Sequence, residues 1–268
     1  MRHPLLPAAL LALVVACATA PSGRRQLLLV ADEQLEPAAV ASFEQIRARY
    51  PELRDPERQA LLGCVVEGLT RALPPSWQGL RWQIAILDAP EINAFALPGG
   101  RIGVYRGLLE RFPDPDRLAA VLGHEIAHVV FRHGAERVSQ QFAAATALEL
   151  AAIARDGGRE ERSRELFALL GLGAQVGVLL PFSRLHEQEA DRYGQELMSR
   201  AGFDPRAAAS VWRELENAQR GPRPPAWLST HPAPGERAAE LSARAEALLP
   251  LYEEAISAGR RPACAPRR

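Results

Sequence analysis

The chain has 268 residues, 47% of them hydrophobic, with 32 basic and 32 acidic side chains and a formal net charge of +0. That length is one large domain or two small ones, with ample apolar material for a core. No basic patch or aromatic-interleaved stripe appears, which argues against a nucleic-acid partner.

The N-terminal end reads as a processing signal. Arg2 precedes an apolar run from Leu5 to Ala16, and Val14-Val15-Ala16-Cys17 resembles the lipobox of bacterial lipoproteins. Residues 1–16 are expected to be a lipoprotein signal peptide, removed to leave Cys17 as the acylated first residue. Cleavage after Ala20 would instead put Pro21 first, a poor site. Several acyl chains suffice for membrane anchoring. Ala18 after the cysteine points to a periplasmic protein anchored to the outer membrane. Residues 17–30 are then expected as a lead segment, 31–255 as the main domain, and 256–268 as an Arg/Pro-rich tail.

Helical patterning runs from Pro37 to about Tyr50 and from Pro56 to about Leu73. Trp82 to Leu87, Ala94 to Leu97 and Arg101 to Tyr105 are short β-prone runs, the last two divided by Pro98-Gly99-Gly100. Leu118 to Val130 is an apolar, proline-free helix with Asp114 and Asp116 at its start. Phe142 to Phe182 reads as two pieces flanking Gly157-Gly158 that pack on the core or cover the cleft as a lid. Leu166 to Phe182 is too short and glycine-interrupted to span a bilayer comfortably. Helices are expected again at about Leu185 to Ala201, Pro205 to Gln219 and Pro234 to Ile256. The fold class expected is α+β, mostly helical. Cys64 and Cys264 either bridge in an oxidising compartment or remain a buried thiol and a loose tail cysteine.

Chemistry concentrates in His124-Glu125-Ile126-Ala127-His128, an H-E-x-x-H run inside the Leu118–Val130 helix. Residues four apart on a helix differ by only ~40° in direction, so both imidazoles project from one face. Such a pair can hold Zn²⁺, with Glu125 placed to take a proton from the attacking water. A catalytic zinc needs a third protein ligand, and His186-Glu187-Gln188-Glu189-Ala190-Asp191 offers one in Glu187. Asp191, one turn on, can accept the second N–H of a ligand imidazole. Glu189 points ~160° away from Glu187 and reads as a surface or packing carboxylate. His133 would lie ~140° from His128 on a continuing helix and reads as a polar helix end.

These residues resemble the HtpX and CAAX-prenyl-protease family of zinc metallopeptidases, a gluzincin group. The family's E-x-x-A-D pattern matches Glu187 to Asp191. Further matches are Asn93 to Leu109, Pro181-Phe182-Ser183-Arg184, and Thr230-His231-Pro232 with Arg237. The likeness runs from about Gln26 to about Leu241 and is nearest to the small bacterial lipoprotein members. It implies a zincin-like domain with a small β-sheet beside the H-E-x-x-H helix, and His124, His128 and Glu187 as ligands of one zinc. It also implies that Asn93, Ala94, Phe95 and Ala96 lie on a strand that pairs with substrate backbone. His231 would stand near the cleft, steadying an oxyanion or filling the open metal position, with Arg237 and Tyr193 as weaker candidates for that duty.

The expected activity is that of a zinc-dependent endopeptidase with Glu125 as general base, acting on misfolded or unassembled cell-envelope proteins. The alternative is a chaperone-like or assembly factor for envelope proteins, in contact with their assembly machinery and with low or latent proteolysis. A structural zinc module is weaker, because such sites are usually closed by four protein ligands.

Overall fold

Helix boundaries follow local capping chemistry. The computed structural model describes residues 17–156, 182–219, 225–232 and 236–264. The expected signal peptide 1–16 lies outside these, as do Gly157-Gly158 and residues 159–181 of the lid segment. In chain order the elements are β1 (Cys17–Thr19), β2 (Arg25–Leu27), α1 (Asp32–Arg49), α2 (Pro56–Arg71), α3 (Pro75–Gln78), β3 (Gln83–Leu87), β4 (Ala94–Leu97) and β5 (Arg101–Tyr105). There follow α4 (Arg106–Arg111), α5 (Pro115–Val130), α6 (His133–Asp156), α7 (Arg184–Arg200), α8 (Arg206–Gln219), α9 (Trp227–Thr230) and α10 (Arg237–Ser257). The class is α+β and mostly helical, as expected.

Asp114 caps α5 by accepting the Arg117 N–H at 2.8 Å, with Pro115 in the first position where no N–H is needed. Ser183 does the same for α7, accepting from His186 N at 3.2 Å. Helix α1 departs from expectation. It begins at Asp32 and carries Pro37 inside it, because Gln34 Oε1 accepts the Ala31 N–H at 2.9 Å and starts the helix early. The carbonyl that Pro37 leaves unpaired belongs to exposed Glu33, where water can satisfy it.

The three-stranded sheet has the order β3-β5-β4, with β3 parallel and β4 antiparallel to β5. Side chains alternate across it. Ile86, Ala94, Ile102 and Val104 face the main core with α2, α5, α7 and α8, while Ala85, Leu87, Leu97 and Tyr105 face Phe43 and Ala39 of α1. Strand β4 is therefore an edge strand, and it packs against α5.

Helices α5 and α7 make the closest crossing. A Cβ built on Gly123 would stand 2.9 Å from the Gly194 carbonyl oxygen, and one on Gly194 would stand 2.7 Å from the His124 nitrogen. Only glycine permits that backbone approach.

Both ends of the described residues are tied in. β1 and β2 form an antiparallel hairpin, Cys17 opposite Leu27. Gln26 is buried and donates to the Phe131 carbonyl at 2.7 Å, and Leu29 N donates to Ser139 Oγ at 2.9 Å. Thus the 17–30 segment, expected only as a lead, docks on the start of α6. At the other end α10 runs on to Ser257, and Cys264 is disulfide-bonded to Cys64 of α2 with 5.5 Å between Cα atoms. Of the two open readings for these cysteines, the structure shows the bridge. Among the described residues, no helix is long and apolar enough to cross a membrane.

Gly194→Ala should test the crossing. Helix propensity would favour the change by ~1 kcal/mol, but overpacking against backbone atoms, which cannot turn aside as a side chain can, costs the upper part of the usual range, ~2–3 kcal/mol. The expected net result is a lower melting temperature, by about 2–8 °C for a domain of this size. An unchanged melting curve would mean that the two helices are free to separate.

Candidate metal centre

The close crossing of α5 and α7 sets the Glu187–Asp191 turn against the His124–His128 face. All five residues His124, Glu125, His128, Glu187 and Asp191 are buried. His124 Nε2 lies 3.0 Å from His128 Nε2, and each is 3.5 Å from a Glu187 carboxylate oxygen. His231 joins them: its Nδ1 lies 3.2 Å from His124 Nε2 and 3.0 Å from Glu187 Oε1. His124, His128, Glu187 and His231 each place a ligand atom within 4.8 Å of the others.

Hydrogen bonding on the far side of the two imidazoles decides what faces inward. His124 Nδ1 lies 2.9 Å from Asp191 Oδ1. Arg237 grips the same carboxylate, Nε to Oδ2 at 2.6 Å and Nη2 to Oδ1 at 2.5 Å. An ionised carboxylate only accepts, so His124 Nδ1 carries the proton and Nε2 presents a lone pair. His128 Nδ1 lies 2.9 Å from His133 Nδ1, whose Nε2 is 3.1 Å from Glu189 Oε2. His133 therefore donates to Glu189 and accepts from His128, leaving His128 Nε2 with its lone pair inward too. Two imidazole lone pairs 3.0 Å apart, beside a carboxylate, repel one another unless a cation lies among them. The donor set of two or three imidazoles and one carboxylate suits Zn²⁺. The residues present fit the metal.

Electrostatics agree. Burial favours the neutral form of His128, and the neighbouring imidazoles push the same way, so its pKa lies well below the ordinary value. Burial opposes ionisation of Glu187, but His231, His124 and Arg237 outweigh it and hold its pKa at about 2. Asp191 is likewise lowered, burial being overcome by Arg237 and His124. Arg237 Nη1 also donates to Glu187 Oε2 at 2.6 Å, and its guanidinium lies 3.3 Å from the centre of the Trp212 ring. One buried cation thus compensates two buried carboxylates, as such groups require.

Glu125 stands apart from the ligand set. It accepts from Trp227 Nε1 at 2.7 Å and from the Ala96 backbone on β4. Burial pushes its pKa up to about 7, against the pull of His124 and the Trp227 N–H. A carboxylate balanced there can both accept and return a proton near neutrality. His231 Nε2 is 3.4 Å from Glu125 Oε1, so this imidazole sits between the base and the ligand atoms.

Other expected site residues fall as follows. Ala94 and Ala96 lie on the α5 side of edge strand β4, and the Asn93 carbonyl accepts from Tyr105 N at 3.0 Å just before it. Phe95 points to the opposite face, 6.2 Å from Phe43 and 6.3 Å from Tyr105 between ring centroids. Tyr193 packs on Phe131, 5.2 Å between centroids. Cys17 stands in β1, at the start of the hairpin.

One expectation is corrected, and one open pair of readings is decided. His133 is not a polar helix end: it is fully buried and bonded to His128. Helix α5 stops at Val130, Arg132 adopts the left-handed φ of 55°, and α6 starts at His133, which turns the ring back toward His128. Of the two readings left open for Glu189, a surface or a packing carboxylate, the structure shows the second. Glu189 is 9% exposed, because α7 is covered on that side by the β1–β2 turn and α6, and it bonds Arg24, Ser22 and His133. Sequence reading also missed Trp227 and Phe182. The Phe182 ring stacks on His128 with centroids 3.9 Å apart.

Residues 56–245 match the pattern of Peptidase family M48. The chain belongs to that family. It is 36% identical over 219 residues to the mitochondrial metalloendopeptidase OMA1 of Schizosaccharomyces pombe, covering 81% of this chain and 62% of that protein. Over 238 residues it is 34% identical to the mitochondrial metalloendopeptidase OMA1 of Bos taurus, covering 82% and 44%. It is 31% identical over 221 residues to the beta-barrel assembly-enhancing protease of Escherichia coli K12, covering 77% and 43%. The chain spans about half the length of these relatives. Membership of M48 agrees with the gluzincin resemblance carried by the motifs.

The purified protein should hold one zinc per chain. Glu187→Ala made together with His231→Ala should leave the metal well below stoichiometric by elemental analysis after dialysis, because the two imidazoles of His124 and His128 alone hold zinc weakly. Full zinc occupancy in that variant would remove Glu187 from the ligand set.

Proposed function

We propose that this M48 chain is a zinc-dependent endopeptidase. The observation that carries the reading is the convergence of inward imidazole lone pairs and Glu187, with a separate buried carboxylate, Glu125, held beside the edge of β4. His124, His128 and Glu187 would hold the zinc. When bound, the ion lowers the pKa of water toward ~7 and polarises a carbonyl.

The protein's own groups do the rest. Strand β4 offers an outer edge to an extended polypeptide, and the Ala96 N–H that bonds Glu125 lies on that edge. A groove of about 340 Å³ runs beside it, lined by Leu35, Ala39, Leu97, Val129 and Val138, with His128 and Phe182 also on its wall. Such a groove takes an apolar side chain of the substrate. Glu125 accepts the proton of the attacking water and returns it to the leaving amine. Trp227 Nε1 keeps the carboxylate aimed while this happens.

His231 occupies the space between Glu125 and the ligand atoms. We read it as a fourth ligand in a resting state that must withdraw before water and substrate enter. That position also supports the second reading, an envelope-protein assembly factor or chaperone-like holder with latent proteolysis.

Substrates are proposed to be misfolded or unassembled proteins of the cell envelope. Support comes from the Val14-Val15-Ala16-Cys17 run and from the name of the Escherichia coli relative, a beta-barrel assembly-enhancing protease. Acylation at Cys17, a periplasmic location and an outer-membrane anchor belong to the same proposal.

Glu125→Gln should keep its zinc and lose hydrolysis of an unfolded protein by ~10²-fold or more, as loss of a general base does. Wild-type turnover by that variant in a preparation free of other proteases would refute the assignment. His231→Ala should retain zinc and cleave faster than wild type in the same assay. Slower cleavage would instead make His231 part of the reacting machinery.

A further inference from the structure

Behind His128 lies a buried polar chain that reaches the N-terminal hairpin. His128 Nδ1 meets His133 Nδ1 at 2.9 Å, and His133 Nε2 meets Glu189 Oε2 at 3.1 Å. Glu189 is in turn held by Arg24, through Nε at 3.1 Å and Nη2 at 2.8 Å, and by Ser22 Oγ at 2.5 Å. Arg24 also donates to Glu136, at 2.7 Å from each of Nη1 and Nη2, and from Nη1 to the Arg25 carbonyl at 3.1 Å. Glu136 also receives Gln26 Nε2 at 3.0 Å. Both carboxylates are thus clamped by one guanidinium that enters from the turn between β1 and β2.

The direction of each bond follows from the fixed end. Glu189, paired with Arg24, accepts only. His133 must then carry its proton on Nε2 and offer a lone pair at Nδ1. The only arrangement that satisfies the 2.9 Å contact with one proton between the rings is His128 bearing its proton on Nδ1. That is the tautomer in which Nε2 can bind metal. Were His133 absent, neutral His128 could place its proton on Nε2, the wrong nitrogen. Asp191, clamped by Arg237, imposes the same order on His124. The two ligand imidazoles are fixed from opposite sides, one through a carboxylate directly and one through an intervening histidine.

We propose that Arg24, Glu189 and His133 are positioning residues that fix the ring orientation and tautomer of His128, so that zinc affinity depends on the docking of the N-terminal hairpin. The proposal rests on His128 being a zinc ligand. It makes the 17–30 segment a working part of the metal centre: what happens at the hairpin is felt at His128 through three side chains.

The test uses the full mature chain stripped of zinc. Nitrogen-15 spectra of histidine-labelled wild-type apoprotein should show His128 protonated at Nδ1 and His133 at Nε2; the reverse pair would overturn the relay without any mutation. Zinc affinity is then measured by competition with a chromophoric chelator, beside the melting temperature of each apo form. His133→Leu and Arg24→Ala should each weaken zinc binding by ~10–100-fold, the usual effect of losing an outer partner of a ligand. His133→Asn, which keeps an acceptor near Nδ1, should recover most of that loss; a merely space-filling role predicts instead that Leu outperforms Asn. Wild-type affinity in folded His133→Leu or Arg24→Ala would overturn the proposal while leaving the zinc site standing. Failure of the wild type itself to bind zinc would sink both.

Discussion

Gly123 and Gly194 face each other where α5 crosses α7, and the metal centre is built outward from that contact. With backbones this close, the inward face of α5 one residue further on, His124, comes within reach of the first two turns of α7. The approach brings Glu187 and Asp191 to opposite sides of the same imidazole. A Cβ at either glycine would push the helices apart by the fraction of an ångström that separates a hydrogen bond from an unsatisfied buried charge. Helix packing and ligand geometry are therefore one constraint here.

The cost of that arrangement is a dense set of ionisable groups removed from water. Glu125, Glu187, Asp191, Arg237 and the imidazoles are each less than 4% exposed, apart from Asp191 at 8%. Isolated, each would lose several kcal/mol of hydration. Instead the charges are interleaved: Arg237 between Glu187 and Asp191, and Arg24 between Glu136 and Glu189. Such networks seldom add net stability over an apolar core, but they impose one set of positions. A metal centre needs that uniqueness more than it needs a further few kcal/mol. The apolar mass that supplies stability lies on both faces of the sheet, on the other faces of α5 and α7, and around α2, α8 and α10.

The edge strand and the active-site helix are linked through Glu125. Its contact with the Ala96 backbone couples the proton acceptor to the strand proposed to carry substrate. Binding a chain along β4 would compete for the Ala96 N–H and leave Glu125 with Trp227 and His231 as neighbours. Phe182 stacks on His128 and lines the same groove as Ala96.

Local information sufficed for much of this molecule. The i, i+4 spacing of His124 and His128 needs only helical periodicity, and proline with Asp114 announced where α5 begins. Alternating apolar residues and Pro98-Gly99-Gly100 disclosed the strands, and the facing argument separated Glu187 from Glu189. It left Glu189 open between surface and packing, because facing alone does not say that the hairpin covers the other side of α7. It failed on His133 because periodicity presumes a continuing helix, and one left-handed residue, Arg132, reverses the chain at that point. Trp227, Arg24 and Glu136 carried no local signal at all, since their partners lie 102, 165 and 112 residues away along the chain. Residue spacing thus determined which side chains share a helix face and could act as ligands. Only the tertiary structure decided how their far sides are bonded, which nitrogen of each imidazole points inward, and what covers them, because those depend on contacts between distant segments that no period in the sequence records.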